Sequence, residues 1–169
     1  MAEEGAEQIL HYSLSGGLSP TANVAKEAAA AVMEKYPGCK IIAIDSLAAT
    51  IGQGALVREA VRLRGEGARF EDAAAKTADM PLHIQYAIIA NDLYYLKRGG
   101  RVSTVAAAAG TLLNIKPVLS FTKEGKLTVV EKVRGMKKAF AYALSKTEKF
   151  NPVEENRMMR IVHTDAEKD

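Results

Sequence analysis

The sequence predicts an α/β protein: a mostly parallel sheet with helices, followed by a smaller α+β second domain that contains a β-hairpin. Three observations carry that reading. Over residues 1–90, short apolar runs alternate with stretches of helical periodicity, the pattern of crossover connections and of a parallel sheet. One of those runs, Ile41-Ile42-Ala43-Ile44, is continuous, as in a strand covered on both faces. Further on, apolar segments 115–121 and 127–133 flank Lys123-Glu124-Gly125-Lys126, which is how a hairpin reads. The change of character near Asn91 divides the chain into an α/β domain, residues 1–90, and an α+β domain, residues 91–169.

Element by element, residues 8–14 predict a short strand that enters the turn Ser15-Gly16-Gly17-Leu18-Ser19-Pro20. Ser19 is placed as N-cap of the next helix and Pro20 at its first position, where a missing N–H costs nothing. The helix extends to about Tyr36, with Ala25, Ala28, Ala29, Val32 and Tyr36 along one face. Pro37-Gly38 stops it. The strand of residues 40–45 leads into a small-residue loop, 46–54, and a helix over 53–64 with Leu56, Ala60 and Leu63 on one side. A third helix covers 70–79 and ends before Pro81; a strand is expected over 83–90. A helical turn over 92–97 precedes Gly99-Gly100-Arg101, and an alanine-rich helix covers 104–112. The hairpin follows, with Gly125 where a positive φ is needed. A helix over 136–149 and a strand over 158–163 complete the series.

Apolar residues make up 48% of the 169 and charged residues 25%, a composition that builds a core and argues against global disorder. Net charge is +3, with residues 132–138 locally basic and Trp absent. Neither the basic face nor the aromatic platform of a nucleic-acid binder is supplied, so no nucleic-acid partner is expected. The single cysteine, Cys39, excludes an internal disulfide and reads as a buried thiol beside an apolar run. The acidic start MAEEGAEQIL has no signal-like apolar core, and no run is long enough to span a bilayer. A cytoplasmic protein is expected. His11, His83 and His163 lack metal-ligand spacing, and no nucleophile, base and orienter occur as a set. No metal, no cofactor and no catalytic residues are expected.

Several segments, taken together and in order, resemble the DegV family. Ser15-Gly16-Gly17-Leu18-Ser19-Pro20-Thr21 is similar to that family's serine-rich turn, with Pro20 where the family usually has glycine. Ile44-Asp45-Ser46 followed by Gly52-Gln53-Gly54 resembles its second strand and loop. Asp92-Leu93, Leu96-Lys97-Arg98-Gly99-Gly100-Arg101-Val102-Ser103, Leu112-Leu113-Asn114-Ile115-Lys116-Pro117, Gly125 and Lys132-Val133-Arg134 continue the series. The resemblance implies a two-domain α/β carrier that binds one long-chain fatty acid and presents its carboxylate to a partner kinase, without a catalytic centre of its own. The family's opening Thr-Asp-Ser strand, its Thr-Ser-Gln-Pro segment and its closing His-containing loop have no counterpart here. The expectation is therefore a truncated carrier, impaired in lipid binding and open to self-association through an uncovered sheet edge.

The residues expected to act follow from chemistry and resemblance together. A carboxylate or phosphate needs donors and positive potential, which a helix N-terminus supplies. Ser15, Gly17, Ser19 and Thr21 in the turn, with Arg101 after its two glycines, are the head-group candidates. Against each stands a plainer role: Ser19 as a cap, Thr21 bonding within the first turn, Arg101 pinning a loop. Ala109, Leu112, Leu113, Ile115 and Val118 are the acyl-lining candidates and are equally good core residues. The resemblance makes Arg134, with Lys132, a candidate for docking the kinase; the plain reading is a solvated basic face. The rival functions are an enzyme on a phosphorylated small molecule, with the serine turn as phosphate cradle, and a non-binding structural or assembly module.

Overall fold

In the computed structural model, residues 8–13 and 40–45 pair as the first sheet, within described residues 1–91, 93–101, 114–148 and 159–164. Strand β1 (Gln8–Ser13) lies parallel to β2 (Lys40–Asp45), with Gln8 opposite Lys40 and Ser13 opposite Asp45. Helix α1 (Thr21–Lys35) makes the crossover. Its alanines matter because small side chains let a helix lie close to a sheet: Ala22 and Ala29 are buried, Ala25 and Val32 half-buried, and Ala28 exposed. Helix α2 (Thr50–Gly65) begins three residues ahead of the expected Gln53, because the loop after β2 closes at once into a helical turn through Gly52 N–H to the Ala49 carbonyl. Helix α3 (Phe70–Asp79) ends where Pro81 removes a donor.

Tyr12, Ile44, Leu56 and Ala74 form the core of this unit, with Leu10, Ile42, Ala60, Met80 and Ile84 packed around them. Leu56 is wholly buried, and burying such a side chain stabilises by about 1.5–3 kcal/mol. A polar tie crosses the same layer. Thr77 donates its hydroxyl to the Ala73 carbonyl at 2.7 Å, so Tyr12 O–H is the donor to Thr77 Oγ1 at 2.6 Å. Burial pushes the Tyr12 phenol above its ordinary pKa. Cys39 is buried, as a structural thiol should be.

Chain contacts divide the molecule into Met1–Ile84 with Phe121–Lys126, and Gln85–Ser120 with Leu127–Asp169. In the second unit a three-stranded sheet runs in the order β3 (Ile88–Ile89), β4 (Ile115–Phe121), β5 (Leu127–Arg134). β3 is antiparallel to β4, with Ile88 opposite Leu119. The expected strand over 83–90 is thus only two residues long. Met80–His83 is a 3-10 turn around Pro81, and from Ile84 to Ala87 the chain alternates exposure without a neighbouring ladder. Pro117 sits just outside the β3 ladder and offers only its carbonyl, to Ala90 N–H, as a residue without a donor must.

Pro117, Val118 and Leu119 are buried in succession, the mark of a middle strand. Leu119 packs with Leu93, Ile88, Ala90, Leu96, Leu127 and Val129. Helix α4 (Tyr94–Arg98) closes on Gly100 at φ 72°, with Gly100 N–H to Lys97 and Arg101 N–H to Leu96, the pairing of a Schellman stop. Helix α5 (Met136–Glu148) matches its expected span to one residue. Of the expected strand over 158–163, Met158 lies outside the described residues, and Met159–His163 forms no regular element. Ile161 and Val162 are exposed there; an apolar alternation becomes a strand only beside a partner edge. The expected helix over 104–112 lies outside the described residues.

Candidate functional site

The turn between β1 and α1 is fixed from within. Ser15 is fully buried, and its N–H reaches the Ala48 carbonyl at 2.9 Å. Its hydroxyl donates to the Gly125 carbonyl at 2.7 Å and accepts Gly17 N–H at 3.1 Å. Its carbonyl accepts Leu18 N–H and Ser19 N–H. The Asp45 carboxylate receives Gly16 N–H on both oxygens, at 3.0 and 3.1 Å, and Leu47 N–H at 2.9 Å. The backbone donors of both glycines are therefore already engaged, one by a carboxylate and one by a hydroxyl. Gln53, from α2, donates to the Tyr12 carbonyl at 2.8 Å and ties the end of β1 to that helix.

The glycines are required by space. A Cβ on Gly16 would lie 2.5 Å from Asp45 Oδ2, and one on Gly17 would lie 2.5 Å from the Glu124 carbonyl. Gly125 has φ 71°, and a Cβ there would run into Ser15 Oγ. Leu47, in the loop that answers the serine turn, and Thr50, the first residue of α2, hold positive φ, 47° and 49°; for a branched residue such as Thr50 that conformation is strained.

At the start of α1 the capping position belongs to Pro20, and Ser19 stands one residue earlier than expected. With φ −69° and ψ −1°, Pro20 is already helical, so the missing donor is harmless and Ser19 acts from outside the helix. Ser19 Oγ accepts Thr21 N–H at 3.3 Å and shares a 2.6 Å hydrogen bond with Thr21 Oγ1. Two hydroxyls joined in this way commit one proton to each other and keep one for an outside acceptor. Thr21 is exposed and Ser19 half-buried.

A family model described as "Uncharacterised protein, DegV family" matches residues 1–169. The chain belongs to the DegV family. A DegV domain-containing protein of Lactococcus lactis, YteA, is 40% identical over 141 residues, which are 83% of this chain and 49% of that protein. The structure of a fatty-acid-binding DegV family protein from Thermus thermophilus superposes with a TM-score of 0.74 at 35% identity, over 88% of this chain and 51% of the other. The Fatty Acid Kinase B3 protein of Streptococcus pneumoniae, loaded with linoleic acid, superposes with a TM-score of 0.79 at 29% identity, over 88% and 53%. This DegV-family chain spans about half the length of the relatives it matches.

Within this DegV-family chain, the structure gathers Ser15, Gly17, Ser19 and Thr21 in one turn of the first unit. Arg101 belongs to the second unit, is exposed, and donates to the Gly99 carbonyl. Val118 is wholly buried in β4 and Ile115 half-buried at its start; Ala109, Leu112 and Leu113 lie outside the described residues. Lys132 and Arg134 are exposed on β5, and among the described residues neither forms an ion pair. Among the described residues no group of His, Cys, Asp and Glu could hold a metal, and no helix is long and apolar enough to cross a membrane. Sequence reasoning missed Asp45 and Gly125 as parts of the turn. Their signal was present, an acidic residue closing a strand and a glycine closing a hairpin, but nothing local paired Asp45 with Gly16 across 29 positions or Gly125 with Ser15 across 110.

Proposed function

We propose that this chain is part of a fatty-acid carrier whose serine turn receives the lipid carboxylate. The observation that carries the reading is the likeness, at 35% identity, to a Thermus thermophilus structure named for fatty acid binding. The turn supports it with a hydroxyl proton left over from the Ser19–Thr21 pair at the start of α1. A monoanionic head group takes such a donor as a charge-assisted hydrogen bond, stronger than a neutral one. The phosphate-cradle reading is disfavoured, because the glycine N–H groups it needs are held by Asp45 and Ser15. A dianion beside the Asp45 carboxylate would be repelled.

Presentation of the bound acid to a kinase, with Lys132 and Arg134 as the docking residues, belongs to the same proposal and rests on the likeness to the Fatty Acid Kinase B3 protein. Self-association through the edges of the β1–β2 sheet, which pair with no further strand among the described residues, belongs to it as well, and sedimentation over a concentration series checks it. Organic extraction and mass spectrometry of the purified chain test lipid binding, with oleic acid titration beside it. Bound fatty acid and saturable uptake are expected. Ser19→Ala and Thr21→Val together should weaken uptake at least tenfold, since one charge-assisted hydrogen bond contributes about 1.5–3 kcal/mol. A chain that carries no lipid and takes up none sinks the reading.

A further inference from the structure

Among the described residues the Asp45 carboxylate hydrogen-bonds to Gly16 and Leu47 and to none of the candidate ligand groups, yet it is the residue on which the serine turn closes. It ends β2 directly opposite Ser13, the last residue of β1. From there its carboxylate accepts Gly16 N–H on both oxygens and Leu47 N–H on Oδ1. One side chain thus fixes the first glycine of the turn and the loop after β2 together. Both partners are constrained: Gly16 has no room for a Cβ on the Asp45 side, and Leu47 is held at φ 47°. A left-handed leucine needs outside support, and the bond from its own N–H to Asp45 supplies part of it. Ser15, one residue before Gly16, is bound to the same loop through Ala48.

We infer that Asp45 is a positioning residue: its carboxylate sets the conformation of the turn from Ser15 to Thr21 and, through it, the affinity for a lipid carboxylate. The second half of that statement rests on the fatty-acid reading; the first half does not. The carboxylate does this better than an amide. An Asn at the same place keeps one acceptor oxygen for Leu47 and Gly16, but turns its NH2 toward the second Gly16 contact, where donor faces donor. Graded loss from Asp to Asn to Ala is the signature of the clamp, and a general loss of packing does not produce it.

The test uses the 169-residue chain with Asp45→Asn, Asp45→Ala and, as a control for stability alone, Ile44→Val. Ile44 is a neighbouring core residue outside the turn. Oleic acid is the probe, titrated well below the melting point of every variant. The amide resonances and exchange rates of Gly16 and Leu47 are read on the same samples. Asp45→Ala should weaken oleic acid binding about tenfold or more and speed exchange at Gly16 and Leu47, with Asp45→Asn between it and wild type. Ile44→Val should lower the melting point and leave both readouts near wild type. Unchanged amides in Asp45→Ala overturn the clamp. Altered amides with oleic acid affinity kept within twofold overturn its role in binding, as does an equal affinity loss in Ile44→Val. A wild-type chain that takes up no oleic acid overturns the fatty-acid reading and the affinity half of the inference with it, while the amide readout still decides whether Asp45 sets the turn.

Discussion

At the scale of single residues, the turn is decided by atoms with no spare room. Gly125 and Gly100 share a positive φ, 71° and 72°, yet differ in surroundings: a Cβ on Gly125 would meet Ser15 Oγ, and a Cβ on Gly100 would meet nothing within 4 Å among the described residues. An alanine at either place carries the left-handed penalty of about 1–2 kcal/mol. Only Gly125→Ala adds overpacking, about 1–3 kcal/mol more. The expected outcome is a melting-point loss for Gly125→Ala clearly larger than for Gly100→Ala, checked by calorimetry; equal losses would mean that the hairpin turn yields around Ser15. Ser19 offers a second comparison. Its bond to Thr21 N–H is long, 3.3 Å, so Ser19→Gly should cost only a few tenths of a kcal/mol. Its effect should appear in oleic acid uptake, and normal uptake by Ser19→Gly would take Ser19 out of the site.

At the scale of elements, edges and stops decide more than periodicity does. Helix α3 and strand β4 occupy the spans their patterns predict, because Pro81 ends the first and turn residues bound the second. The segment before β3 has the right alternation and pairs with no strand among the described residues. β5 carries the proposed docking residues at its exposed end, followed by Lys137 and Lys138 on α5. Exposed charges contribute little to stability. Arg134→Ala should therefore leave the melting point almost unmoved and weaken association with a fatty acid kinase's catalytic subunit, most at low salt, where screening is least. Association measured at two ionic strengths checks this, and a large fall in melting point with intact association would make Arg134 structural.

At the scale of the whole molecule, two phenols raised by burial, Tyr12 and Tyr86, should make stability fall at alkaline pH. Burial pushes Tyr86 up to about 12, and Tyr12 is raised for the same reason. The unfolded chain ionises a tyrosine near pH 10. The folded form therefore holds more protons between about pH 10 and 12, and stability falls as pH rises through that window. Denaturant midpoints across the alkaline range should show the fall, and tyrosinate absorbance should rise late for these two groups. Tyr86→Phe should flatten the upper part of the limb. A Tyr86→Phe protein with the same alkaline profile would assign the loss to other groups.

By itself the sequence determined the class of the fold, the order of the described helices and most of the described strands, the DegV resemblance and the place of the serine turn. All of these are written in patterns a few residues long: apolar periodicity, proline and glycine punctuation, and short motifs read in order. Tertiary structure alone decided which groups in the turn remain free to act. Ser15 looked like a ligand group until Gly125 came within 2.7 Å of its hydroxyl. Gly16 has its backbone donor taken by the Asp45 carboxylate. The physical reason is that a hydrogen bond engages a donor wherever its acceptor comes from, and here the acceptors arrive from distant parts of the chain.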